Sequence, residues 1–304
     1  MPNIISDFLV FYCFVLNSFY NLNSNGAYIG ENMTKILLCF IAIASFYNFT
    51  FCFKIDRAIV ASDTNPMYLD FWPVVAKAWK QVIGVQPTLA LIAPLETIVD
   101  ESLGTVIRFD PIPGVPTWQH AQMIRMLLPT LFENEACIIS DIDMLPMSKQ
   151  YFCEPVKNIP NDRLVTYHDG MYGKLVNGIP PGIPMCYVAG TGKVFREIFD
   201  IKSPQDINTT IKKWSAGNEG NWFRDEQVLR QYIVEWHKKT RRGIFLGYND
   251  GYVSAHRIDR GRWPAKYDYA RIRQGWFHDS HMIRPFKPYR KQITELVAAL
   301  GIHI

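Results

Sequence analysis

Asp141 and Asp143 are the residues in this chain best spaced for chemistry, because they end the apolar run Cys137-Ile138-Ile139-Ser140-Asp141-Ile142-Asp143. Residues i and i+2 of a strand share one face, so the two carboxylates can converge on a single point. Two acids at the carboxyl end of a buried strand, with no basic residue between them, are costly unless a cation or a hydrogen-bond network sits there. Hard oxygen ligands suit Mg²⁺ or Mn²⁺, which take few protein carboxylates and leave positions open for substrate phosphates. The competing reading makes both aspartates caps of the next turn. The apolar run before them and the Met144-Leu145-Pro146 break after them favour the metal.

The elements that must position this pair are legible as alternating strands and helices from Ile55 onward. Arg57–Asp63 reads as a buried strand ending in a polar turn, Tyr68–Val82 as a helix closed by Gly84, and Thr88–Ala93 as a second strand. Thr105–Phe109 is a third strand, Trp118–Phe132 a helix, and Ala136–Ser140 the strand that delivers the aspartates. Such alternation predicts an α/β fold with a mostly parallel sheet flanked by helices, Rossmann-like in its nucleotide-binding half. Ligands of these sheets bind beyond the carboxyl ends of the strands, which is where Ser62-Asp63 and Asp141-Asp143 both fall. Beyond Tyr151 the periodicity weakens, and the glycines and prolines of Gly170–Gly192 predict loops over a site. Helices are expected from Lys193 and over Asp225–Lys239.

With 304 residues and 48% hydrophobic content the chain can bury a full core, which argues against intrinsic disorder. Between His237 and Lys291 there are 14 Lys and Arg against 4 Asp and Glu, a basic segment suited to a polyphosphate, a membrane surface or plain solvation. No zinc-finger spacing, RNA-binding fingerprint or basic DNA-reading helix accompanies it, so nucleic acid is not expected as a partner. The six cysteines include no C-x-x-C pair, which speaks against a zinc site and a disulfide framework.

Residues 1–54 differ in character and are read as a hydrophobic leader ahead of a catalytic domain at 55–304. Ile36–Phe53 is about the minimum length for a membrane span and is bracketed by Lys35 and Lys54. A signal anchor, a cleaved signal peptide and an extended leader upstream of a start at Met33 all fit. The first predicts a membrane-associated protein of undetermined orientation, the other two a soluble one.

Taken in order, these motifs resemble a GT-A glycosyltransferase, the group that includes glycogenin and the bacterial lipopolysaccharide galactosyltransferases. The resemblance spans roughly Ile55 to Tyr289 and rests on motif order. It implies that Ala61, Ser62 and Asp63 meet the nucleotide base, that Arg125 reaches the donor, and that Asp141 and Asp143 hold Mn²⁺ or Mg²⁺ against the donor diphosphate. Ala189-Gly190-Thr191-Gly192 stands where the family has an Asn-x-Gly turn facing the donor sugar; glycine is kept at Gly190 and asparagine is lost. Asp225-Glu226-Gln227 stands where the family has Asp-Gln-Asp, which makes Asp225 and Glu226 the catalytic candidates, with helix capping the plainer role for Asp225. The family's final element, a histidine and then a lysine-proline-aromatic run, occurs here in two overlapping frames. His278 pairs with Arg284-Pro285-Phe286, and His281 with Lys287-Pro288-Tyr289; a mixed frame of His281 with Arg284 also fits. His281 is the preferred metal ligand, His278 the alternative, with Arg284 or Lys287 on the donor phosphate and Asp279 placed to orient His281.

The implied reaction moves a sugar from a nucleoside diphosphate sugar, a UDP-sugar by family habit, to a hydroxyl of a glycan or glycoconjugate acceptor. Tyr167, His168, Tyr172 and the loop around Gly182 are the acceptor-side candidates. Inversion and retention of configuration stay open. So do two rivals: a sugar nucleotidyltransferase or phosphohydrolase, and a membrane-anchored module that binds nucleotide sugar or glycan without turnover.

Overall fold

The computed structural model describes residues 53–167, 172–218, 220–247, 256–264 and 266–303, all within one compact unit, Phe51–Ile304. The expectations placed on residues 1–52 and on His168 lie outside the described residues. Phe53, assigned to the leader, is instead a core residue at 2% exposure whose amide donates to the Ile159 carbonyl. Among the described residues no helix is long and apolar enough to cross a membrane.

The main sheet has seven strands: β1 (Ile55–Asp63), β2 (Gln86–Ile92), β3 (Thr105–Phe109), β4 (Ala136–Ile139), β6 (Leu164–Tyr167), β7 (Val188–Thr191) and β8 (Gly243–Leu246), in the order β3-β2-β1-β4-β7-β6-β8. All neighbours pair in parallel except β7, which runs antiparallel to β4 and to β6. Side chains of β1 alternate between two cores, Ala58 and Val60 facing one and Ile59 and Ala61 the other. β4 does the same with Ala136 and Ile138 against Cys137 and Ile139. Both faces are therefore covered, which is why these strands read as continuous apolar runs. The strand order reverses between β1 and β4, so the carboxyl ends of these two strands open the crevice where such sheets place ligands.

Proline explains two departures from the expected helices. The stretch expected as one helix over Tyr68–Val82 is split into α1 (Pro66–Leu69), α2 (Trp72–Ala78) and a wider turn over Trp79–Ile83, because Pro73 has no amide to continue the ladder from α1. Gly84 ends it in the left-handed conformation, φ +82°, as expected. The helix expected to reach Phe132 stops earlier: α3 spans Thr117–Leu127 and tightens over Leu128–Leu131, where Pro129 removes a donor. After β4 come the three-residue strand β5 (Met144–Pro146) and α4 (Lys149–Cys153).

The loop expected over Gly170–Gly192 ends in a strand. β7 is only four residues long and contains Gly190, so no local pattern announces it; pairing with Ala136–Ile139 on one side and β6 on the other makes it. α5 (Gly192–Phe199) and α7 (Arg224–Thr240) match expectation. α6 (Gln205–Ser215) was not anticipated, although Ile207, Ile211 and Trp214 recur at helical spacing and are buried. A second, three-stranded sheet was not anticipated either. In it β10 (Asp279–His281) lies between β5, antiparallel, and β9 (Arg257–Asp259), parallel. The short α8 (Tyr269–Arg273) and α9 (Arg290–Ala299) complete the fold.

Candidate functional site

The small sheet is what brings the C-terminal segment to the aspartates. β5 follows Asp143 directly and pairs with β10, and the Met282 amide donates to the Asp143 carbonyl at 2.9 Å. A cavity of about 300 Å³ opens at this junction, lined from β1 by Ala61, Ser62 and Asp63 and from the β4 end by Asp141 and Asp143. Arg125, Asp225, Glu226, His281 and Arg284 also line it. Most of the residues singled out from the sequence are thus gathered in one place.

Three of the donor- and metal-side candidates do not join them. Gly190 sits inside β7 opposite Cys137, where an added Cβ would lie 2.9 Å from the Leu164 side chain; it is a packing glycine away from the cavity wall. Lys287 projects outward at 77% exposure, 3.6 Å from Asp70, so among the two cations of the overlapping frames only Arg284 reaches the cavity. The His278 ring stacks on Tyr151 at 4.0 Å and on His256 at 4.8 Å, off the cavity. Burial, with His256 adding to it, pushes His278 down to about 4. The mixed frame, His281 with Arg284, is the pair the fold assembles.

Asp143 is the buried centre of charge. Its Oδ2 lies 3.4 Å from His281 Nε2, 3.3 Å from Arg284 Nε and 3.2 Å from Arg260 Nη1. Burial opposes its ionisation, but His281, Arg284 and Arg260 together hold the carboxyl below the usual range. Burial also opposes charge on His281; the carboxylates of Asp143 and Asp259 outweigh it and raise the imidazole to about 9. Arg260 and Asp259 were missed in the sequence, where the run Arg257-Ile258-Asp259-Arg260 carries no motif beyond its charge.

Asp141 is turned the other way. Arg125 donates to Asp141 Oδ1 through one nitrogen and to Asp225 Oδ2, at 2.8 Å, through the other. Burial opposes charge on Arg125, yet Asp141 and Asp225 more than compensate and raise it further. Asp225 lies in the first turn of α7 behind the cap position Phe223, where its Oδ1 accepts from the Glu226 amide at 2.8 Å while Oδ2 pairs with Arg125. Burial, partly offset by Arg125, still leaves the Asp225 carboxyl raised.

Glu226 forms no ion pair among the described residues. It accepts hydrogen bonds from the Tyr172 hydroxyl and, at 3.5 Å, from the Met185 amide. Burial raises its carboxyl, Tyr172 opposes this, and the charges of Asp225 and Asp141 add to it. The Tyr172 ring rests on Gly182, where a Cβ would come within 2.4 Å, so the two acceptor-side candidates belong to one surface. Tyr167 does not: at 2% exposure its hydroxyl donates to the Phe152 carbonyl, which makes it a core residue.

At the other end of the cavity Asp63 accepts from the Thr117 hydroxyl at 2.8 Å and from the Asn65 amide at 3.0 Å. An aromatic wall not foreseen in the sequence stands beside it. The Trp222 ring is stacked between Trp118, 5.3 Å away, and Tyr68, 6.4 Å away.

Among the described residues no group of three or more His, Cys, Asp or Glu side chains is gathered closely enough to hold a metal ion. Two donors are gathered, a carboxylate oxygen and an imidazole nitrogen at 3.4 Å, and their chemistry fits Mn²⁺. The third expected ligand, Asp141, faces Arg125. Asp279 does not orient His281 as expected. It is fully buried, bonded to both Nε and Nη2 of Arg257 at 2.7 Å and to the Tyr187 hydroxyl at 2.9 Å.

No family model matches the chain, and no curated protein matches it in sequence. Among solved structures it is similar to the galactosyltransferase LgtC in complex with donor and acceptor sugar analogs, at 14% identity and TM-score 0.46, over 82% of this chain and 97% of that one. An active-site Gln-to-Glu variant of LgtC aligns at 13% identity and TM-score 0.47 over the same shares, 82% and 97%. The glycosyltransferase GlyE of Streptococcus pneumoniae TIGR4 aligns at 12% identity and TM-score 0.46, over 82% of this chain and 63% of that one.

Proposed function

We propose that this chain is a GT-A glycosyltransferase. It would move a sugar from a nucleoside diphosphate sugar, a UDP-sugar in the first instance, to a hydroxyl of a glycan or glycoconjugate, with Mn²⁺ or Mg²⁺ as cofactor. One observation carries the reading: a carboxylate–imidazole pair, two guanidiniums and a carboxylate, Glu226, outside any ion pair among the described residues converge in one cavity at the switch point of the sheet.

Asp143 and His281, joined by Asp141, would hold the cation, which when bound supplies Lewis-acid neutralisation of the departing diphosphate. Arg260 and Arg284 flank Asp143 and are placed to donate charge-assisted hydrogen bonds to phosphate oxygens. Ala61, Ser62 and Asp63 face the base end, with Trp118, Trp222 and Tyr68 beside them as ring-stacking partners. Asp225 keeps Arg125 fixed toward the donor. Glu226 is then the carboxylate left for the reacting centre. Its raised pKa suits a base that takes the acceptor hydroxyl proton, if configuration inverts, or a carboxylate facing an oxocarbenium-like centre, if it is retained.

The test is a thermal-shift screen of nucleoside diphosphate sugars with and without Mn²⁺, run beside a donor-hydrolysis assay. Ligands that bind the native state raise the melting temperature. A metal-dependent shift with slow donor hydrolysis is the expected result. A shift without hydrolysis or transfer means a binding module, and no shift with any of these donors removes the reading.

A further inference from the structure

We propose that Asp259 is a positioning residue for the divalent cation: it holds the Nδ1 proton of His281 and so leaves Nε2, beside Asp143, as the nitrogen that releases its proton to solvent when the cation binds. The inference rests on the metal-dependent reading above. Its ground is the sandwich Asp259–His281–Asp143, with Asp259 Oδ1 3.4 Å from Nδ1 on one side of the imidazole and Asp143 Oδ2 3.4 Å from Nε2 on the other.

An imidazole ligates a metal only when neutral, through whichever nitrogen lacks the proton, and the hydrogen bond made by the other nitrogen decides which that is. A carboxylate at Nδ1 keeps the proton there. It also raises the basicity of Nε2, which is why carboxylate–histidine–metal arrangements recur. Asp259 cannot share the cation itself, since the imidazole ring stands between it and Asp143.

The position of Asp259 is fixed by register. β9 and β10 pair in parallel with Asp259 opposite His281, and Arg257 opposite Asp279 two residues earlier. The Arg257–Asp279 pair is bidentate, with Asp279 fully buried and bonded again by Tyr187. That buried clamp stops the strands from sliding. A slip of one residue would remove Asp259 from His281 and turn β9 side chains to the other face. Asp259 itself is 40% exposed, so holding its charge there costs little desolvation.

The experiment measures Mn²⁺ affinity by isothermal titration of the metal into the purified full-length protein without nucleotide. The proteins compared are the parent, Asp259→Ala, Asp259→Asn, Asp143→Asn and His281→Ala. Melting temperatures of the metal-free forms are recorded alongside. Asp259→Ala is expected to weaken Mn²⁺ binding by about 10–100-fold, the usual cost of losing a partner behind a ligand. Asp259→Asn is expected to recover most of that loss, because its amide oxygen still accepts from Nδ1. His281→Ala and Asp143→Asn should lose more than either. An Asp259→Ala protein that binds Mn²⁺ like the parent overturns the role of Asp259 and leaves the metal reading standing. Asparagine that loses as much as alanine overturns positioning through the hydrogen bond. A parent protein that binds no Mn²⁺ overturns both. Should the alanine variant fail to fold, Asp259→Val, of similar size and with no acceptor for Nδ1, takes its place with the same expected loss.

Discussion

The guanidinium of Arg125 lies 2.8 Å from Asp225, one hundred residues away in the chain, while its other nitrogen holds Asp141. One side chain of α3 therefore ties the strand-end aspartate to the first turn of α7. Replacing Arg125 by leucine would leave the buried Asp225 and the half-buried Asp141 without their counter-charge. The expected loss is about 3–5 kcal/mol of unfolding free energy in urea denaturation, the cost of breaking a buried pair from one side. Arg125→Lys should lose less, since it keeps the charge but not the fork that reaches both acids. A leucine variant as stable as the parent would show that the two carboxylates are not paired in solution.

Metal removal should separate the two aspartates of the pair. Chelation with EDTA is expected to abolish donor hydrolysis, with rescue by Mn²⁺. Asp143→Asn should weaken Mn²⁺ binding more than Asp141→Asn, because Asp143 faces His281 while Asp141 is engaged with Arg125. Full hydrolysis in EDTA contradicts the metal dependence, and the reverse ranking contradicts the assignment.

Arg284 and Lys287 are three residues apart and should behave differently. Arg284 lines the cavity beside Asp143, while Lys287 points to solvent near Asp70. Arg284→Ala is expected to weaken binding of UDP by about 10–100-fold, the equivalent of a lost charge-assisted hydrogen bond worth about 1.5–3 kcal/mol. Lys287→Ala should leave UDP affinity within experimental error. Calorimetric titration of UDP in the presence of Mn²⁺ reads both.

His120 makes a pH prediction away from the cavity chemistry. It is fully buried in α3, neither ring nitrogen has a hydrogen-bond partner among the described residues, and burial holds it down to about 4. The unfolded chain protonates near 6.5, so below that pH the unfolded state binds more protons and stability falls as pH drops toward 4. His120→Phe should flatten the loss of stability over that window, by up to about 3 kcal/mol. At pH 7 the variant should be no less stable, because two unpaired buried nitrogens are removed. Urea midpoints at pH 7 and pH 5 check both statements.

The two glycines of the Ala189–Gly192 stretch test packing against donor contact. A Cβ on Gly192 would lie 2.3 Å from the Phe132 carbonyl oxygen and 2.4 Å from that of Pro129, whereas the tightest contact of one on Gly190 is the tip of the Leu164 side chain at 2.9 Å, with Phe195 next at 3.4 Å. Gly192→Ala should therefore be the more destabilising, by about 1–3 kcal/mol on the scale of overpacked cores. Gly190→Ala should leave nucleotide affinity unchanged. A selective loss of donor binding in Gly190→Ala would restore it to the site.

Much was legible in the chain before folding because it is local. β1 to β4 declare themselves by apolar runs that both cores need, Gly84 by its left-handed turn, and Asp141 and Asp143 by their place at a strand end. The limits that proline sets on two helices are local as well, at Pro73 and Pro129. What the tertiary structure alone decided are pairings between distant segments. β5, β9 and β10 are three residues each, too short for any period to show, and exist because they pair with one another. That small sheet puts His281 rather than His278, and Arg284 rather than Lys287, on the cavity, and brings Arg260 to Asp143 and Asp259 to His281. Periodicity reports which face of an element is buried. Which charges meet there depends on strand register and on the cost of burying them unpaired, and neither is written in any local stretch of sequence.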